Sequence, residues 1–167
     1  LQQLNLYPLG DVHIGSKECD IELFKSWVEM VKNDPNGAVV IIGDMMNMGL
    51  RNSKSNVYEE VLSPMEQKEL CYELLKPIAN KIIGGCSGNH EYRSVKEVGM
   101  NPLYDVFCRL RIEDKYRENA CFIKLTVGKQ GKNPNVYGVV LTHGSSKTKD
   151  EKWTYSVDGC DCFISGH

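Results

Sequence analysis

Five short apolar runs recur along this chain, and each is followed by a residue that can bind a metal ion. The runs cover residues 4–9, 38–42, 81–86, 137–141 and 162–164. The residues that follow them are, in order, Asp11 and His13, Asp44, Asn89 and His90, His143, and His167. Runs of this length predict buried β-strands, and open α/β sheets bind ligands outside the carboxyl ends of their strands. The pattern therefore predicts an α/β fold with one polar site at that edge.

All four histidines belong to this set, and core histidines scattered at random would not fall this way. In four of the five places a glycine immediately precedes the first such residue: Gly10, Gly43, Gly88 and Gly166. Glycine lets a backbone turn sharply or approach a ligand closely. In an extended chain Asp11 and His13 point to one side, so both can reach a single ion. For Asn89 and His90 taken alone, a turn whose Asn caps the next helix remains an alternative.

Length and composition indicate an ordinary globular protein, and we expect residues 1–167 to form one domain. A formal net charge of −2 does not indicate a nucleic-acid surface, although a local basic patch stays open. No apolar run approaches the roughly 20 residues of a membrane span, so we expect no membrane partner.

Seven irregularly spaced cysteines favour a reducing compartment, which we take to be the cytoplasm. Cys160 and Cys162 lack a second pair for zinc, and we expect both to pack within a strand.

Periodicity and breakers give a coarse map of the elements. We predict helices over residues 20–32, 63–75 and 101–111, a hairpin of strands 120–127 and 136–141 joined by a polar loop, and a last strand over 162–165. Ser63, Pro64 and Glu66 form a typical helix start with a capping box. We interpret residues 45–56 as a loop beside the site whose methionines pack, and residues 145–153 as an exposed loop or a short helix.

The candidate ligands supply oxygen and imidazole without thiolate, which favours manganese, iron, zinc or nickel. They are too numerous for one ion and nearly sufficient for two. A bridging carboxylate suits two metals roughly 3.5–4 Å apart, and Asp44 is the candidate for that bridge. Two divalent ions, a hydroxide bridging them and the charges of Asp11 and Asp44 would leave the cluster positive. Such a site attracts a phosphate oxyanion.

The series resembles the motifs of the calcineurin-like metallophosphoesterase superfamily, in order and over nearly the whole chain: Asp11-x-His13, Gly43-Asp44, Gly88-Asn89-His90-Glu91, His143 and Gly166-His167. The resemblance implies a β-sandwich of two mixed sheets flanked by helices. It implies metal-dependent hydrolysis of phosphate mono- or diesters. It implies two ligand sets: Asp11, His13 and Asp44 on one ion, and Asp44, Asn89, His143 and His167 on the other. His90 resembles the family's catalytic histidine, which protonates the leaving oxygen or stabilises the transition state.

The chain departs from the family pattern in its last motif. That motif is usually Gly-His-x-His, and its second histidine completes the shell of the first metal. Here the sequence stops at His167. Three explanations fit the incomplete motif: truncation at the C-terminus, a ligand supplied by another chain, or a weakened site. We expect truncation, in keeping with a start on Leu1 rather than Met.

Two further functions stay open beside a phosphoesterase. A nuclease-type phosphodiesterase is one, although a nucleic-acid partner is possible rather than indicated. A catalytically weakened scaffold of the same fold is the other, supported only by the incomplete last motif. Arg51, Lys54, Arg93 and Lys96 lie near ligands in sequence and could bind phosphate, but each alone is better explained as surface charge. The oligomeric state is left open.

Overall fold

The structure is a computed structural model, and it describes residues 3–50, 60–128, 135–144 and 160–167. Its strands form two sheets that pack face to face. The first contains, in spatial order, β1 (Asn5–Leu9), β2 (Gly37–Ile42), β3 (Ile82–Cys86) and β4 (Tyr116–Arg117). The second contains β5 (Ala120–Val127), β6 (Asn135–Thr142) and β7 (Cys162–Ser165). The predicted β-sandwich is confirmed.

The two sheets differ in the direction of their strands. Neighbouring strands of the first sheet are all parallel. In the second, β5 and β6 are antiparallel, as the predicted hairpin requires, and β6 and β7 are parallel. Two mixed sheets were expected, but among the described strands only the second is mixed. The first is parallel because helical crossovers return the chain to the same end of the sheet before each of β2 and β3 begins.

The described helices flank the first sheet, and three of the four follow a residue whose side chain caps them. They are α1 (Ile21–Asn33), α2 (Pro64–Leu75), α3 (Asn89–Val98) and α4 (Pro102–Arg109), with short 3-10 segments at Lys76–Lys81 and Glu113–Lys115. Asp20 caps α1, and Ser63 forms the predicted capping box with Glu66 on α2. Helix α4 stops two residues before its predicted end at Arg111, because Arg111 takes a φ of 60°, which a right-handed helix does not allow.

Strand β2 is buried on both faces, which explains its continuous apolar sequence. Val39 and Ile41 face a core formed with the helices, whereas Val40 and Ile42 face the second sheet. Residues one apart on a strand point to opposite faces, so one strand serves both cores. The methionines that follow β2 complete the larger core: Met45, Met46 and Met48. The prediction that they pack is confirmed.

Some predictions fall on other parts of the chain. Most of the hairpin loop, residues 51–56 with Arg51 and Lys54, and residues 145–153 lie outside the described residues. In the part that is described, no helix is both long enough and apolar enough to cross a bilayer.

Candidate metal centre

The segments that follow β1 and β2 run side by side at the carboxyl end of the first sheet. Backbone hydrogen bonds continue the strand pairing beyond the sheet: Asp11 N–H donates to the Gly43 carbonyl at 3.1 Å, and His13 N–H donates to the Asp44 carbonyl at 3.0 Å. An isolated bridge between Ile14 and Met46 extends the pairing further. The chain therefore holds the first two predicted motifs next to each other.

Asp44 is the most deeply placed acid of the predicted ligands, with 2% of its surface exposed. Its Oδ1 accepts the His90 N–H at 2.8 Å, so the carboxylate lies at the N-terminus of α3, where a helix favours negative charge. Burial acts to raise the pKa of this carboxyl. Hydrogen bonds from His143 and from the His90 backbone, with the charges of both imidazoles, outweigh burial and hold the pKa below its ordinary value.

Three hydrogen-bond acceptor atoms, each with a lone pair, point at one position beside His143. Its Nδ1 bonds the Ile42 carbonyl at 2.8 Å and so carries a proton. Its Nε2 then faces two further acceptors, Asp44 Oδ2 at 3.1 Å and Asn89 Oδ1 at 3.0 Å. Burial lowers the pKa of His143, but the hydrogen bond and charge of Asp44 outweigh it and raise the pKa overall. Three acceptors meeting in this way require a cation, either a proton or a metal ion that displaces it.

Two groups of donor atoms could each hold an ion, and they share Asp44. One group is His13, Asp44 and His90, and the other is Asp44, His143 and His167; within each, the atoms lie within 4.8 Å of one another. In the described part of the chain, the buried Nδ1 of His13 has no hydrogen-bond partner. A buried, unpartnered imidazole nitrogen is unfavourable unless something binds it. These residues therefore fit divalent metal ions.

The remaining predicted ligands lie at the edges of these groups. Asp11 Oδ1 is 3.9 Å from His13 Nε2, and Asp11 Oδ2 accepts the His167 N–H at 3.1 Å. Asn89 reaches the second group through its contact with His143. The structure thus brings together the six predicted ligands, and it places His90 among them as well.

His90 lies in the first turn of α3, and the residue at the N-cap of that helix is Gly88 rather than Asn89. Asn89 and His90 open α3, so their side chains diverge as on a helix rather than pointing to opposite sides of a strand. His90 Nδ1 bonds the Asn47 carbonyl at 2.7 Å, and Nε2 lies 3.0 Å from Arg93 Nη2 and 3.7 Å from Asp44 Oδ2. Since arginine can only donate, Nε2 accepts and the proton is on Nδ1. Burial, together with Arg93 and His13, lowers the pKa of His90 despite the charge of Asp44.

Most of the strained backbone in the described residues belongs to this site. Non-glycine residues with positive φ are Asp11 (53°), His13 (53°), Asp44 (51°), Met48 (48°), Arg111 (60°) and His167 (80°). Four of these six are predicted ligands. Asp and His enter the left-handed region more readily than most residues, and each such conformation costs on the order of 1–3 kcal/mol. These turns therefore lower stability at the positions where they orient the predicted ligands.

Gly43 and Gly88 allow the turns after β2 and β3 to touch. Gly43 has a φ of 85°, and a Cβ there would overlap the backbone of Gly88. A Cβ at Gly88 would in turn overlap Oδ1 and the backbone nitrogen of Asp44. The glycines that precede two of the ligand motifs are thus required by close packing of one turn on the other.

A cleft of about 270 Å³ opens beside the first donor group. It is lined by Asp11, Val12, His13, Ser16, Glu18, Cys19 and Asn47.

Two residues of the site were not predicted from the sequence. Asn47 has no local signature, and Glu91 was part of a motif without a role of its own. Glu91 stands at the third position of α3, where an acidic residue commonly reaches back to the helix start, and this signal could have identified it.

The two cysteines near the C-terminus are placed differently from the prediction. We expected Cys160 and Cys162 to pack within a strand, but β7 begins at Cys162, whose side chain is exposed, and Cys160 is only half-buried. That prediction is wrong because β7 is the last strand of its sheet, with β6 on one side only among the described strands.

A variant with both Cys160 and Cys162 replaced by Ala should keep its metal content and its melting temperature within a few degrees. Neither thiol belongs to a buried core cluster, and surface substitutions usually change stability by about 0.5 kcal/mol or less. Elemental analysis and thermal unfolding monitored by circular dichroism measure both quantities. Loss of metal from a folded double variant would show that these thiols are ligands.

Comparison with known proteins agrees with this geometry. The family model described as calcineurin-like phosphoesterase matches residues 6–165. The chain belongs to this family. The resemblance read from the strand-end motifs is therefore confirmed, and the family is one of phosphoester hydrolases.

A solved relative is also similar in structure. It is the crystal structure of the calcineurin-like phosphoesterase YfkN from Bacillus subtilis, with 13% sequence identity and a TM-score of 0.45. The similarity covers 97% of this chain and 60% of that one, so the chain spans less than two thirds of this phosphoesterase's length. No curated protein matches the chain.

Proposed function

We propose that this chain hydrolyses phosphate mono- or diesters with two divalent metal ions. The observation that carries the proposal is the pair of donor groups that share the buried Asp44 carboxylate. A shared carboxylate suits two ions roughly 3.5–4 Å apart, as in two-metal hydrolases. Membership of a phosphoesterase family supports the reaction class.

The proposed ligands are those expected from the sequence. Asp11, His13 and Asp44 serve one ion, and the other is held by Asp44, Asn89, His143 and His167. Oxygen and imidazole donors favour manganese, with iron, zinc and nickel as alternatives. When bound, such ions activate water as a nucleophile and polarise phosphoryl oxygens.

The chain's own residues orient the reacting groups. The Asn47 carbonyl fixes the His90 ring so that Nε2 faces the shared carboxylate. We propose that His90 acts on the leaving oxygen of the phosphoester. Arg93 adds a half-buried positive charge at the same nitrogen, where it favours a phosphate oxyanion.

Hydrolysis of p-nitrophenyl phosphate and of bis-p-nitrophenyl phosphate in Mn²⁺ tests this proposal. We expect turnover of one of them, loss of activity with EDTA, recovery with Mn²⁺, and two ions per chain by elemental analysis. The ratio of the two rates assigns the protein to monoesters or diesters. A folded protein that binds metal but hydrolyses neither substrate would support the scaffold alternative. One that binds no metal would contradict the proposal altogether.

Three further proposals concern the setting of this activity. We propose one domain over residues 1–167, since β2, β3, β5 and β6 contribute to a shared core. We propose a reducing, cytoplasmic location, which the seven free thiols support. We propose a phosphoester substrate and no membrane partner; a nucleic-acid substrate stays open as the alternative, although a net charge of −2 does not indicate it.

A further inference from the structure

We propose that Glu91 is a positioning residue that fixes Asp44 relative to Asn89, and so sets the separation of two oxygen donors at one of the two metal positions; this rests on the function proposed above. Glu91 is fully buried, with 0% of its surface exposed. Its Oε2 accepts the N–H groups of Asp44 and Gly88, each at 2.9 Å. Its Oε1 accepts the Met46 N–H at 3.1 Å. The carboxylate touches none of the ligand side chains in these bonds, only the backbone that carries them.

The bonds of Glu91 join two turns that are far apart in sequence. One follows β2 and carries Asp44, and the other follows β3 and leads from Gly88 into Asn89. Asp44 and Asn89 both face Nε2 of His143. A shift of either turn would therefore change the separation of two oxygen donors at one metal position. Metal–oxygen distances in well-formed sites vary by only about 0.2 Å, so such a change would weaken metal binding.

A helix-capping role alone does not account for these contacts. Glu91 bonds the Gly88 N–H as in a capping box, but Gly88 has no side chain to return the bond. The other two bonds leave α3 and reach the neighbouring turn. Burial and the charge of Asp44 raise the pKa of Glu91, and the three N–H donors oppose that shift. A second carboxylate beside Asp44 also adds negative charge around the proposed cations.

Glutamine cannot reproduce the arrangement. Three backbone donors point at two oxygens, and an amide has only one oxygen, so Glu91→Gln must aim an N–H₂ group at one or two donors. Gln67 provides a matched control. It too is fully buried, and its Oε1 accepts the Met48 N–H at 2.9 Å in the turn after β2, but it does not bond Asp44 or Gly88.

The experiment compares wild type, Glu91→Gln and Gln67→Met. Amide hydrogen exchange is measured by NMR in the metal-free proteins, Mn²⁺ affinity by calorimetry, and the coupling between bound Mn²⁺ ions by electron paramagnetic resonance. We expect Glu91→Gln to lose protection at the Asp44 and Gly88 amides, to bind Mn²⁺ about 10–100-fold more weakly, and to alter the coupled signal. Gln67→Met should be destabilised yet keep the affinity and the signal.

Several outcomes would overturn the assignment. Glu91→Gln with wild-type affinity, coupling and amide protection would make Glu91 a structural residue only, and equal effects in Gln67→Met would do the same. If Glu91→Gln does not fold, Glu91→Asp replaces it; that variant keeps the carboxylate but shortens its reach, and an unchanged coupled signal there overturns the proposal. Wild type that binds Mn²⁺ but hydrolyses no phosphoester would contradict the proposed function and leave the positioning role standing.

Discussion

We expect Asp44→Asn to abolish hydrolysis and to empty both proposed metal positions, because the two donor groups share the Asp44 carboxylate. The substitution preserves shape, and the remaining oxygen can still accept the His90 N–H. The new amide nitrogen replaces Oδ2, which lies 3.1 Å from His143 Nε2. It would donate to that nitrogen and remove the convergence of lone pairs. The rate should fall by more than the roughly 10³-fold that follows loss of one transition-state donor.

Asp34→Asn is the matched control for this prediction. Asp34 is at the opposite end of β2, where its carboxylate accepts from Asn5 at 2.7 Å, Tyr7 at 2.8 Å and the Asn36 N–H at 2.8 Å. This variant should keep its activity and both ions, whatever it loses in stability. Elemental analysis and steady-state kinetics on both proteins check the pair. Two bound ions and full activity in Asp44→Asn would exclude Asp44 as the bridge.

His90→Asn should keep its metal but lose activity according to the leaving group. A general acid contributes roughly 10²–10⁴-fold, and an alkoxide needs protonation far more than p-nitrophenolate does. We therefore expect the larger loss on alkyl phosphoesters. Nε2 of His90 accepts a hydrogen bond from Arg93 and so carries no proton in this arrangement. For His90 to donate a proton from Nε2, Arg93 would have to turn away.

The outcomes for His90 separate three roles. Equal losses on both substrate types would mean that His90 and Arg93 stabilise charge or orient a neighbour rather than donate a proton. Arg93→Lys serves as the companion variant, since it keeps the charge without the planar fork. Loss of a metal ion from His90→Asn would make His90 a ligand, as its place in a donor group with His13 and Asp44 allows.

The sequence predicted most of the fold because its signals are local. Apolar runs located β2 and β3, and cap residues such as Ser63 located helix starts. Helix α3 was not predicted, since its only apolar side chains are Tyr92, Val95 and Val98, and the residues it buries are the polar Glu91 and Ser94. Strand β4 has two residues and forms only through pairing with β3, which no local pattern reveals.

The candidate site was predictable in its membership but not in its connections. Strand-end positions alone brought the ligand residues into one set. The contacts that hold them are long-range: Glu91 bonds an amide 47 residues away, and His143 bonds a carbonyl 101 residues away. Such contacts depend on how two turns pack, and spacing along the chain carries no information about that. The role of Glu91 therefore emerged only from the fold.

The left-handed backbone at the ligand positions limits how this centre could be transplanted by design. Asp11, His13 and Asp44 each turn with a φ near 50°, so copying their side chains onto regular strand ends would aim them elsewhere. Most other residues resist that conformation, so a recipient scaffold must already supply the turns. A design that transfers this site would therefore have to include the ends of β2 and β3 together, with Gly43, Gly88 and the buried Glu91.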